Sequence, residues 1–362
     1  MSHPALRVLV VDDSAFNRRT IGGLLNEIEG VEVVGKAGDG NEALKLATQL
    51  EPDLITLDLE MPRMDGFTFL RLLMARRPTP VIVVSGYSAK ENVFRALELG
   101  AIDFVSKPAA SVSGDLNTIG AELREKVLLV RQLSRLSSAE GRSLSGRISG
   151  YPPAPETETG TRRGIAVGGV EKLIVIGAST GGPTALIEVF RKIPPHIPAA
   201  VLVAQHMPER FTRTFAERLD RLGRFRVAEA SERVRLTPRQ ALVCPGGRCL
   251  DVRPSDPSWD AVVVPPGRDD RYIPSVDRLF CSAAHAAGKR VIGVVLTGMG
   301  SDGAKGVLAI KEAGGYVIAE SPETSVIYGM PGAAVKTGAV DEELPIGEIG
   351  ARLGELVENE PQ

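Results

Sequence analysis

The sequence is poor in cysteine, and this limits the disulfide and metal chemistry open to it. Three cysteines occur in 362 residues, an odd number that argues against a disulfide framework and fits a reducing cytoplasm. Cys244 and Cys249 lie close together, but Cys281 is the one further thiol and no nearby histidine completes a zinc set. We therefore expect Cys244 and Cys249 to be small buried apolar groups.

Long apolar runs and an excess of one charge are also lacking. No run approaches the ~18 residues of a membrane span, and Asp12 and Asp13 come early, without the basic and apolar regions of a secretion signal. The net charge is −2, whereas nonspecific nucleic-acid binding needs surplus lysine and arginine. We expect a cytoplasmic protein with no membrane insertion and no nucleic-acid partner, long enough for two domains.

Residues 1–136 contain a regular alternation of short apolar runs and amphipathic segments. The segments Ala15–Ile28 and Gly40–Leu50 have helical spacing. Five runs predict buried strands, at Leu6–Val11, Val31–Gly35, Asp53–Leu57, Pro80–Ser85 and Asp103–Val105. Five such units predict an α/β domain with a doubly wound sheet of five parallel strands. Ligands of that architecture bind at the carboxyl ends of the strands.

Polar residues stand at or just beyond four of these strand ends: Asp12, Asp13, Asp58, Ser85 and Lys107. Clustered carboxylates repel one another, so the group favours a hard divalent cation, Mg²⁺, which takes oxygen ligands. A carboxylate beside that cation can act as a nucleophile and accept a phosphoryl group. Each residue taken alone could instead cap a helix or lie in a solvated loop.

The segment resembles the receiver domain of bacterial two-component response regulators, which has a flavodoxin-like fold. The matching pieces are Val10-Val11-Asp12-Asp13-Ser14, Asp58, Met61-Pro62, Met64-Asp65-Gly66, Ser85-Gly86 and Lys107-Pro108. The resemblance implies that Asp58 is the phosphoacceptor, that Asp12, Asp13 and Asp58 bind the metal, and that Ser85 and Lys107 sense the phosphoryl group. Phe104 takes the place of the family's switch aromatic, often tyrosine, and lacks its hydroxyl.

Residues 137–169 are rich in proline, serine, threonine and glycine, which predicts a linker. Strand and helix patterns resume in residues 170–362, with strands at Leu173–Ile176, Ala200–Ala204, Arg226–Ala228, Val291–Leu296 and Tyr316–Ala319. We expect a second doubly wound, mostly parallel α/β domain. Turn residues between Gln240 and Val264 predict an antiparallel hairpin, with Pro245-Gly246-Gly247 at its tip.

A strand is expected to break into a helix at Gly177-Ala178-Ser179-Thr180-Gly181, which fits the G-x-S-x-G pattern of a nucleophile turn. A phosphate-binding loop or a plain strand-to-helix turn would explain the same residues. A nucleophilic serine needs a base, because its hydroxyl is almost wholly protonated at neutral pH.

His206 is the best placed of the four histidines to be that base. It follows the strand Ala200–Ala204 and so lies at the same sheet edge as Ser179. The others are predicted in a terminus, at the amino side of a strand and within a helix, at His3, His196 and His285. Asp302, in a glycine-rich turn after Val291–Leu296, reaches that edge as the acid that orients a catalytic histidine. A structural histidine and a helix-capping aspartate are the alternatives.

The order Ser179, His206, Asp302 differs from that of the α/β-hydrolases, in which the acid precedes the histidine. Four segments together resemble the chemotaxis protein-glutamate methylesterases of the CheB family: Gly177–Gly182, Gln205-His206-Met207-Pro208, Pro274-Ser275-Val276-Asp277 and Leu296–Gly303. The resemblance implies a triad of those three residues, an oxyanion contact from the amide of Met299, and support of the histidine by Thr180. Ser301 stands where the family more often has asparagine.

The resemblance further implies a phosphorylation-activated hydrolase that removes methyl esters from glutamates of chemoreceptor cytoplasmic helices, and deamidates glutamines, without a metal in the esterase site. Its partners would be methyl-accepting chemotaxis receptors and a chemotaxis histidine kinase. Two rivals are a catalytically silent signalling scaffold and a regulator with a DNA-binding output. The second half shows no compact helix-turn-helix pattern and no basic recognition surface, which argues against DNA binding.

Overall fold

The structure, a computed structural model, describes residues 4–86, 90–107, 116–139 and 169–359. The chain divides into two compact units, and each is described by itself. Most of the predicted linker, residues 140–168, lies outside the described residues. Among the described helices, none is long and apolar enough to cross a membrane.

The first unit is a parallel sheet of five strands in the order β2-β1-β3-β4-β5. The strands are β1 (Leu6–Val11), β2 (Val31–Ala37), β3 (Leu54–Leu57), β4 (Val81–Ser85) and β5 (Asp103–Ser106). The helices are α1 (Ala15–Asn26), α2 (Gly40–Leu50), α3 (Gly66–Arg76), α4 (Lys90–Glu98) and α5 (Leu116–Ala139). The five predicted strands are confirmed to within two residues at each end.

Local sequence explains where helices of this unit begin. Asp39 accepts hydrogen bonds from the backbone N–H groups of Asn41 and Glu42, and Asp65 accepts one from Thr68. A side chain of this kind satisfies amide groups that have no partner inside the first helical turn. Strand β3 is buried along its whole length, as expected of a central strand covered on both faces.

The second unit has a seven-stranded parallel sheet in the order β15-β14-β13-β6-β7-β10-β8. Its strands are β6 (Lys172–Ala178), β7 (Ala199–Gln205), β8 (Arg226–Glu229), β10 (Gln240–Val243), β13 (Val291–Val295), β14 (Tyr316–Glu320) and β15 (Glu342–Leu344). A second, antiparallel sheet has the order β11-β12-β9 and consists of β9 (Arg233–Arg235), β11 (Cys249–Ser255) and β12 (Ser258–Val264).

Six α-helices of the second unit are described: α6 (Gly182–Lys192), α7 (Glu209–Asp220), α8 (Val276–Ala287), α9 (Ala304–Glu312), α10 (Met330–Val335) and α11 (Ile346–Glu358). Helix α6 packs against α11, and α8 packs against α9 and β11. Alternate residues of β6 explain this arrangement. Leu173 and Val175 join the core beneath α8, while Ile174 and Ile176 are equally buried, so both faces of the sheet are covered.

Strand β6 lies between β7 and β13, so the chain leaves it toward one side and returns later on the other. Such a switch point opens a crevice at the carboxyl ends of the neighbouring strands. The first unit has the same feature, because β1 lies between β2 and β3. The doubly wound prediction is therefore confirmed for both units.

The predicted tip of the hairpin is wrong. The antiparallel pair is β11 and β12, which turn at Asp256-Pro257, whereas β10 pairs in parallel with β7 and β8. The Pro245-Gly246-Gly247 segment joins β10 to β11 instead. Gly246 is required there by packing, because a Cβ at this position would lie 2.4 Å from the backbone nitrogen of Glu209 at the start of α7.

Trp259 ties the antiparallel sheet to α8. Its ring is 1% exposed, its indole N–H donates a 3.0 Å hydrogen bond to the carbonyl of Ala286, and the guanidinium of Arg290 lies 4.3 Å from its ring centroid. Cys244 is buried in the same core, and Cys249 is also buried, as expected. A large aromatic group that also satisfies a helix carbonyl contributes through both packing and hydrogen bonding.

We expect Trp259→Phe to lower the free energy of unfolding of the second unit by about 2 kcal/mol, since it leaves the Ala286 carbonyl without its donor. Trp259→Ala should cost about 3–5 kcal/mol because it also leaves a cavity. Urea unfolding followed by circular dichroism measures both. Leu308→Ala, at a side chain that is 41% exposed, is the control, with a loss below about 1 kcal/mol. Equal losses in all three variants would contradict this role of Trp259.

Candidate active site

Ser179 stands in a tight turn immediately after β6. Its backbone N–H donates a 3.0 Å hydrogen bond to the carbonyl of Thr297, and its own carbonyl accepts a 2.8 Å bond from the N–H of Gly182. Gly181 has φ of +79°, which an ordinary L-residue rarely adopts. A Cβ on Gly182 would lie 2.1 Å from Oε1 of Gln205. The turn therefore needs both glycines, and it presents Ser179 half-buried at the crevice.

The pairing of β6 with β7 places His206 beside Ser179. Ala178 is paired with Gln205, so Ser179 and His206 are the next residue of each strand, and the His206 N–H donates a 3.0 Å bond to the Ala178 carbonyl. The side-chain amide of Gln205 donates to the carbonyls of Ser179 and His206, at 2.9 and 3.0 Å. Gln205, for which the sequence predicted no role, thus fixes the two strand ends relative to one another.

Asp302 reaches the same place from the turn after β13. Its Oδ2 lies 2.8 Å from Nε2 of His206, and the carboxylate is 2% exposed. It also accepts hydrogen bonds from the backbone N–H groups of Val276 and Asp277, at 2.8 and 2.9 Å, in the first turn of α8. The capping alternative for the following helix does not hold, because the N-cap of α9 is Gly303.

The site thus contains a serine next to an imidazole whose far nitrogen faces a buried carboxylate. Nδ1 is the ring nitrogen left for Ser179, since Nε2 is taken by Asp302. A carboxylate in this position selects the tautomer and the orientation of the imidazole, and it stabilises the imidazolium that forms when the ring takes a proton in the reaction. The arrangement can therefore support a serine nucleophile with a histidine general base.

The loop after β13 also passes against Ser179. A Cβ on Gly298 would lie 2.7 Å from the Cβ of Ser179, and Met299 is the next residue along this loop. The Thr297 hydroxyl donates to the carbonyl of Thr180 at 3.0 Å. The structure therefore brings Met299 and Thr180 into the neighbourhood of Ser179. The oxyanion role of Met299 and the support of the histidine by Thr180 stay predictions.

The patterns of the sequence missed two further side chains near the site. Tyr272 stacks on the imidazole of His206, with ring centroids 5.2 Å apart and planes that differ by 8°. Glu320, fully buried, accepts a 2.8 Å hydrogen bond from the N–H of Thr297. The nearest signal for Tyr272 is its place just before the segment Pro274–Asp277. A cavity of about 480 Å³ lies beside Tyr272 and Asp302.

The first unit gathers its predicted polar residues at its own switch point. Asp12, Asp13 and Asp58 each offer a carboxylate oxygen within 4.8 Å of the others. The Lys107 ammonium lies 2.7 Å from Oδ2 of Asp12 and also contacts Asp58. The Lys107 N–H donates a 2.8 Å bond to the carbonyl of Ser85, whose side chain is buried at the end of β4.

This carboxylate group fits a hard divalent cation. Oxygen is the donor that Mg²⁺ prefers, and among the described residues the buried Oδ2 of Asp12 has the ion pair with Lys107 but no hydrogen bond of good geometry. Burial raises the pKa of Asp58, and the neighbouring Lys107 offsets only part of that effect. Burial alone would lower the pKa of Lys107, but the carboxylates of Asp58 and Asp12 outweigh it and raise that pKa.

Phe104 is buried in β5. The Phe104 ring makes an edge contact with the ring of Phe94, with 6.5 Å between the centroids. The ammonium of Lys126 lies 5.1 Å from the centroid of the Phe104 ring. Lys126 in turn binds the carboxylate of Asp103 at 2.9 Å. The ring is thus packed inside the unit. Its role as a switch stays a prediction.

The raised pKa of Asp58 means that its ionisation lowers the free energy of unfolding of the first unit, by an amount that depends on pH. With metal chelated, we expect Asp58→Asn to raise the free energy of unfolding of the first unit at pH 7, because the buried charge is removed. A folded-state pKa above the unfolded value means that wild-type stability falls as pH rises through it. The difference in the free energy of unfolding between Asp58→Asn and the wild type should therefore vanish as the pH is lowered below both pKa values of Asp58. Asp13→Asn, at an exposed carboxylate, is the control, and a pH-independent difference would contradict the prediction.

Comparisons with known proteins match both units. A family model described as CheB methylesterase matches residues 174–353, and one described as response regulator receiver domain matches residues 8–113. The solved CheB methylesterase catalytic domain of Thermotoga maritima is 37% identical, with a TM-score of 0.50. It covers 53% of this chain and 100% of its own.

Relatives that match over nearly the whole chain carry the name protein-glutamate methylesterase/protein-glutamine glutaminase, and two of them serve as examples. Number 3 of Geobacter sulfurreducens is 47% identical over 360 residues, or 96% of each chain. Number 1 of Myxococcus xanthus is 46% identical over 356 residues, or 98% of each chain. The chain therefore belongs to the CheB family of protein-glutamate methylesterases/protein-glutamine glutaminases, with a receiver segment ahead of the methylesterase segment.

Proposed function

We propose that this protein hydrolyses glutamate methyl esters on the cytoplasmic helices of chemoreceptors, and deamidates glutamines there, in the adaptation of a chemosensory pathway. The observation that carries the proposal is the 2.8 Å contact between His206 and the buried Asp302, at the strand end next to Ser179. The family membership supplies the substrate class. The activity would be that of a cytoplasmic enzyme.

In the first half of the reaction, Oγ of Ser179 attacks the ester carbonyl carbon while Nδ1 of His206 takes the hydroxyl proton. The imidazolium so formed is stabilised by Asp302, whose charge is held by the α8 amides. The imidazolium then gives its proton to the leaving oxygen as the carbon–oxygen bond breaks. Methanol leaves, and the substrate side chain remains bound to Ser179 as an ester.

In the second half, His206 removes a proton from water, which attacks the acyl carbon. The glutamate carboxylate is released and Ser179 recovers its proton. With a glutamine side chain the same steps release ammonia in place of methanol. One site thus serves both activities, because the chemistry differs only in the leaving group.

Negative charge develops on the carbonyl oxygen in both halves. We assign its binding to the backbone N–H of Met299, since the loop that carries it passes against Ser179. The first two residues of α6 offer no donor, because the Gly182 N–H already binds the Ser179 carbonyl and Pro183 has no N–H. Donors of this kind are typically worth about 2.7–4 kcal/mol each. Thr180 would hold the turn and so support the position of His206, and its carbonyl is bound by Thr297.

We expect Ser179→Ala and His206→Gln each to reduce methanol release from methylated receptor membranes by about 10⁴-fold or more, because the members of a triad act as a unit. His196→Gln is the matched control, since it changes an exposed histidine whose partner is Glu358. Its rate should equal that of the wild type. A silent scaffold would release no methanol in any of these proteins, and a Ser179→Ala protein with normal rates would exclude the serine mechanism.

For the first unit, we propose that Asp58 accepts a phosphoryl group from the phosphohistidine of a chemotaxis histidine kinase. A bond forms between a carboxylate oxygen and phosphorus as the nitrogen–phosphorus bond of the donor breaks and its imidazole leaves. Mg²⁺ held by Asp12, Asp13 and Asp58 would neutralise the charge of the phosphoryl oxygens. Lys107 and Ser85 lie at the same strand ends and would bind those oxygens. The buried ring of Phe104 would follow the resulting change by its packing.

The order of the two segments suggests how they cooperate. We place the receiver at residues 1–136, the linker at 137–169 and the methylesterase at 170–362. This division is supported by the two matched segments, 8–113 and 174–353, because each falls within one compact unit. Phosphorylation would activate the esterase by shifting the population between an inhibited and an active state. Such a shift requires that phosphorylation change the free energy between the two states.

We expect a small phosphodonor with Mg²⁺ to raise the methanol-release rate of the full chain by about tenfold or more, which corresponds to about 1.4 kcal/mol. Asp58→Asn should abolish this response and keep the basal rate, since it leaves the second unit unchanged. Asp53→Asn, at another aspartate of the first unit, is the matched control and should retain activation. Equal rates with and without the phosphodonor in the wild type would contradict activation while leaving the esterase proposal intact.

A further inference from the structure

Tyr272 lies face to face with the imidazole of His206. The ring centroids are 5.2 Å apart and the planes differ by 8°. Tyr272 belongs to the segment between β12 and α8, and the first turn of α8, which follows directly, supplies the N–H groups of Val276 and Asp277 that bind Asp302. One stretch of chain therefore contacts both members of the His206–Asp302 pair.

The hydrogen bond to Asp302 fixes one nitrogen of the imidazole but not the plane of the ring. Among the described residues, the hydrogen-bond partner of the imidazole is Oδ2 of Asp302. A ring held at Nε2 alone can tilt about that atom, and the tilt moves Nδ1 away from Ser179. A flat side chain stacked against the ring restricts this motion, because aromatic faces at this separation pack in a narrow range of orientations.

Tyr272 is itself held in place. A Cβ on Gly300 would lie 2.5 Å from the tyrosine oxygen, so the hydroxyl end packs against the backbone of the loop that carries Asp302. The guanidinium of Arg271 lies 5.7 Å from the tyrosine ring centroid. Tyr272 is half-buried.

We propose that Tyr272 is a positioning residue whose ring holds the imidazole of His206 in the plane that directs Nδ1 toward Ser179. The proposal rests on the proposed function only in taking His206 as the base for Ser179. It assigns the effect to the aromatic ring, so phenylalanine should replace tyrosine and leucine should not. Misplacement of a catalytic group by about 1 Å can cost about a hundredfold in rate.

The test compares Tyr272→Leu, Tyr272→Phe and the control Ile273→Ala in the full chain. Ile273 neighbours Tyr272 in the same segment and is 42% exposed. Methanol release from methylated receptor membranes gives kcat and KM, and thermal unfolding shows that each variant is folded. Tyr272→Leu should lower kcat by about tenfold to a hundredfold with KM within about twofold. Tyr272→Phe and Ile273→Ala should keep kcat within about threefold of the wild type.

A second measurement does not depend on activity. In protein with ¹⁵N-labelled histidine, the imidazole N–H proton of His206 is assigned by its loss in His206→Gln, and its exchange with water is followed by NMR. Exchange should be faster in Tyr272→Leu and unchanged in Tyr272→Phe and Ile273→Ala, because a loosened ring opens the bond to Asp302 more often.

Three results would decide between the explanations. A higher KM with unchanged kcat and unchanged proton exchange in Tyr272→Leu would overturn the proposal and make Tyr272 a substrate contact. Equal losses in Tyr272→Phe and Tyr272→Leu would overturn it by assigning the effect to the hydroxyl. The third result is a wild type that releases no methanol, together with an imidazole proton that still exchanges faster in Tyr272→Leu than in the wild type. That pair of observations would support the positioning of the imidazole and would overturn the proposed esterase activity instead.

Discussion

The buried carboxylate of Asp302 is the constraint on which the site of the second unit depends. Removing a carboxylate from water is costly unless hydrogen bonds replace those that water made. Here two backbone N–H groups of the first turn of α8 and the imidazole of His206 do so, and the amino end of a helix adds a favourable field. The turn after β13, the start of α8 and the imidazole are thereby fixed relative to one another. Helix α8 also packs on β6, where Gly177 leaves room for Val276, so the strand that ends in Ser179 belongs to the same assembly.

The chain uses buried aspartates in two opposite ways. The carboxylate of Asp302 is satisfied by backbone donors, which suits a group that must hold its neighbour in position. Asp58 stands among other carboxylates, with Lys107 as its compensating charge and a pKa raised by burial. A carboxylate whose charge is disfavoured by burial in the resting protein is stabilised by new partners, such as a cation or a covalent phosphoryl group. Both groups occur at a switch point of a doubly wound sheet, so the difference in chemistry comes from what surrounds each strand end.

The sequence was sufficient to predict which polar residues the ends of the strands bring together. Short buried strands with a polar residue at the carboxyl end are a local signal, and parallel pairing alone then brings Ser179 beside His206. Features that depend on pairing between distant segments were not predictable in this way. The short apolar pattern of β10 is compatible with a strand of the large sheet and with a strand of a hairpin. Its membership of the large sheet follows only from its parallel pairing with β7 and β8. Tyr272 likewise becomes part of the site only through a contact with a residue 66 positions earlier in the chain.

The glycines around Ser179 explain how an unrelated turn comes to match the G-x-S-x-G pattern. Gly177 is needed because a Cβ would lie 2.2 Å from Cγ1 of Val276, which is a requirement of packing between a strand and a helix. Gly181 is needed for its φ of +79°, which is a requirement of the backbone where the strand turns into α6. The two requirements are independent of each other. Ser179 lies between a strand that packs against α8 and a turn that begins α6. Each of these neighbours requires a glycine on its own side of the serine. The pattern therefore reports the local geometry of a strand-to-helix turn, while the identity of the site depends on His206 and Asp302, which reach it from other strands.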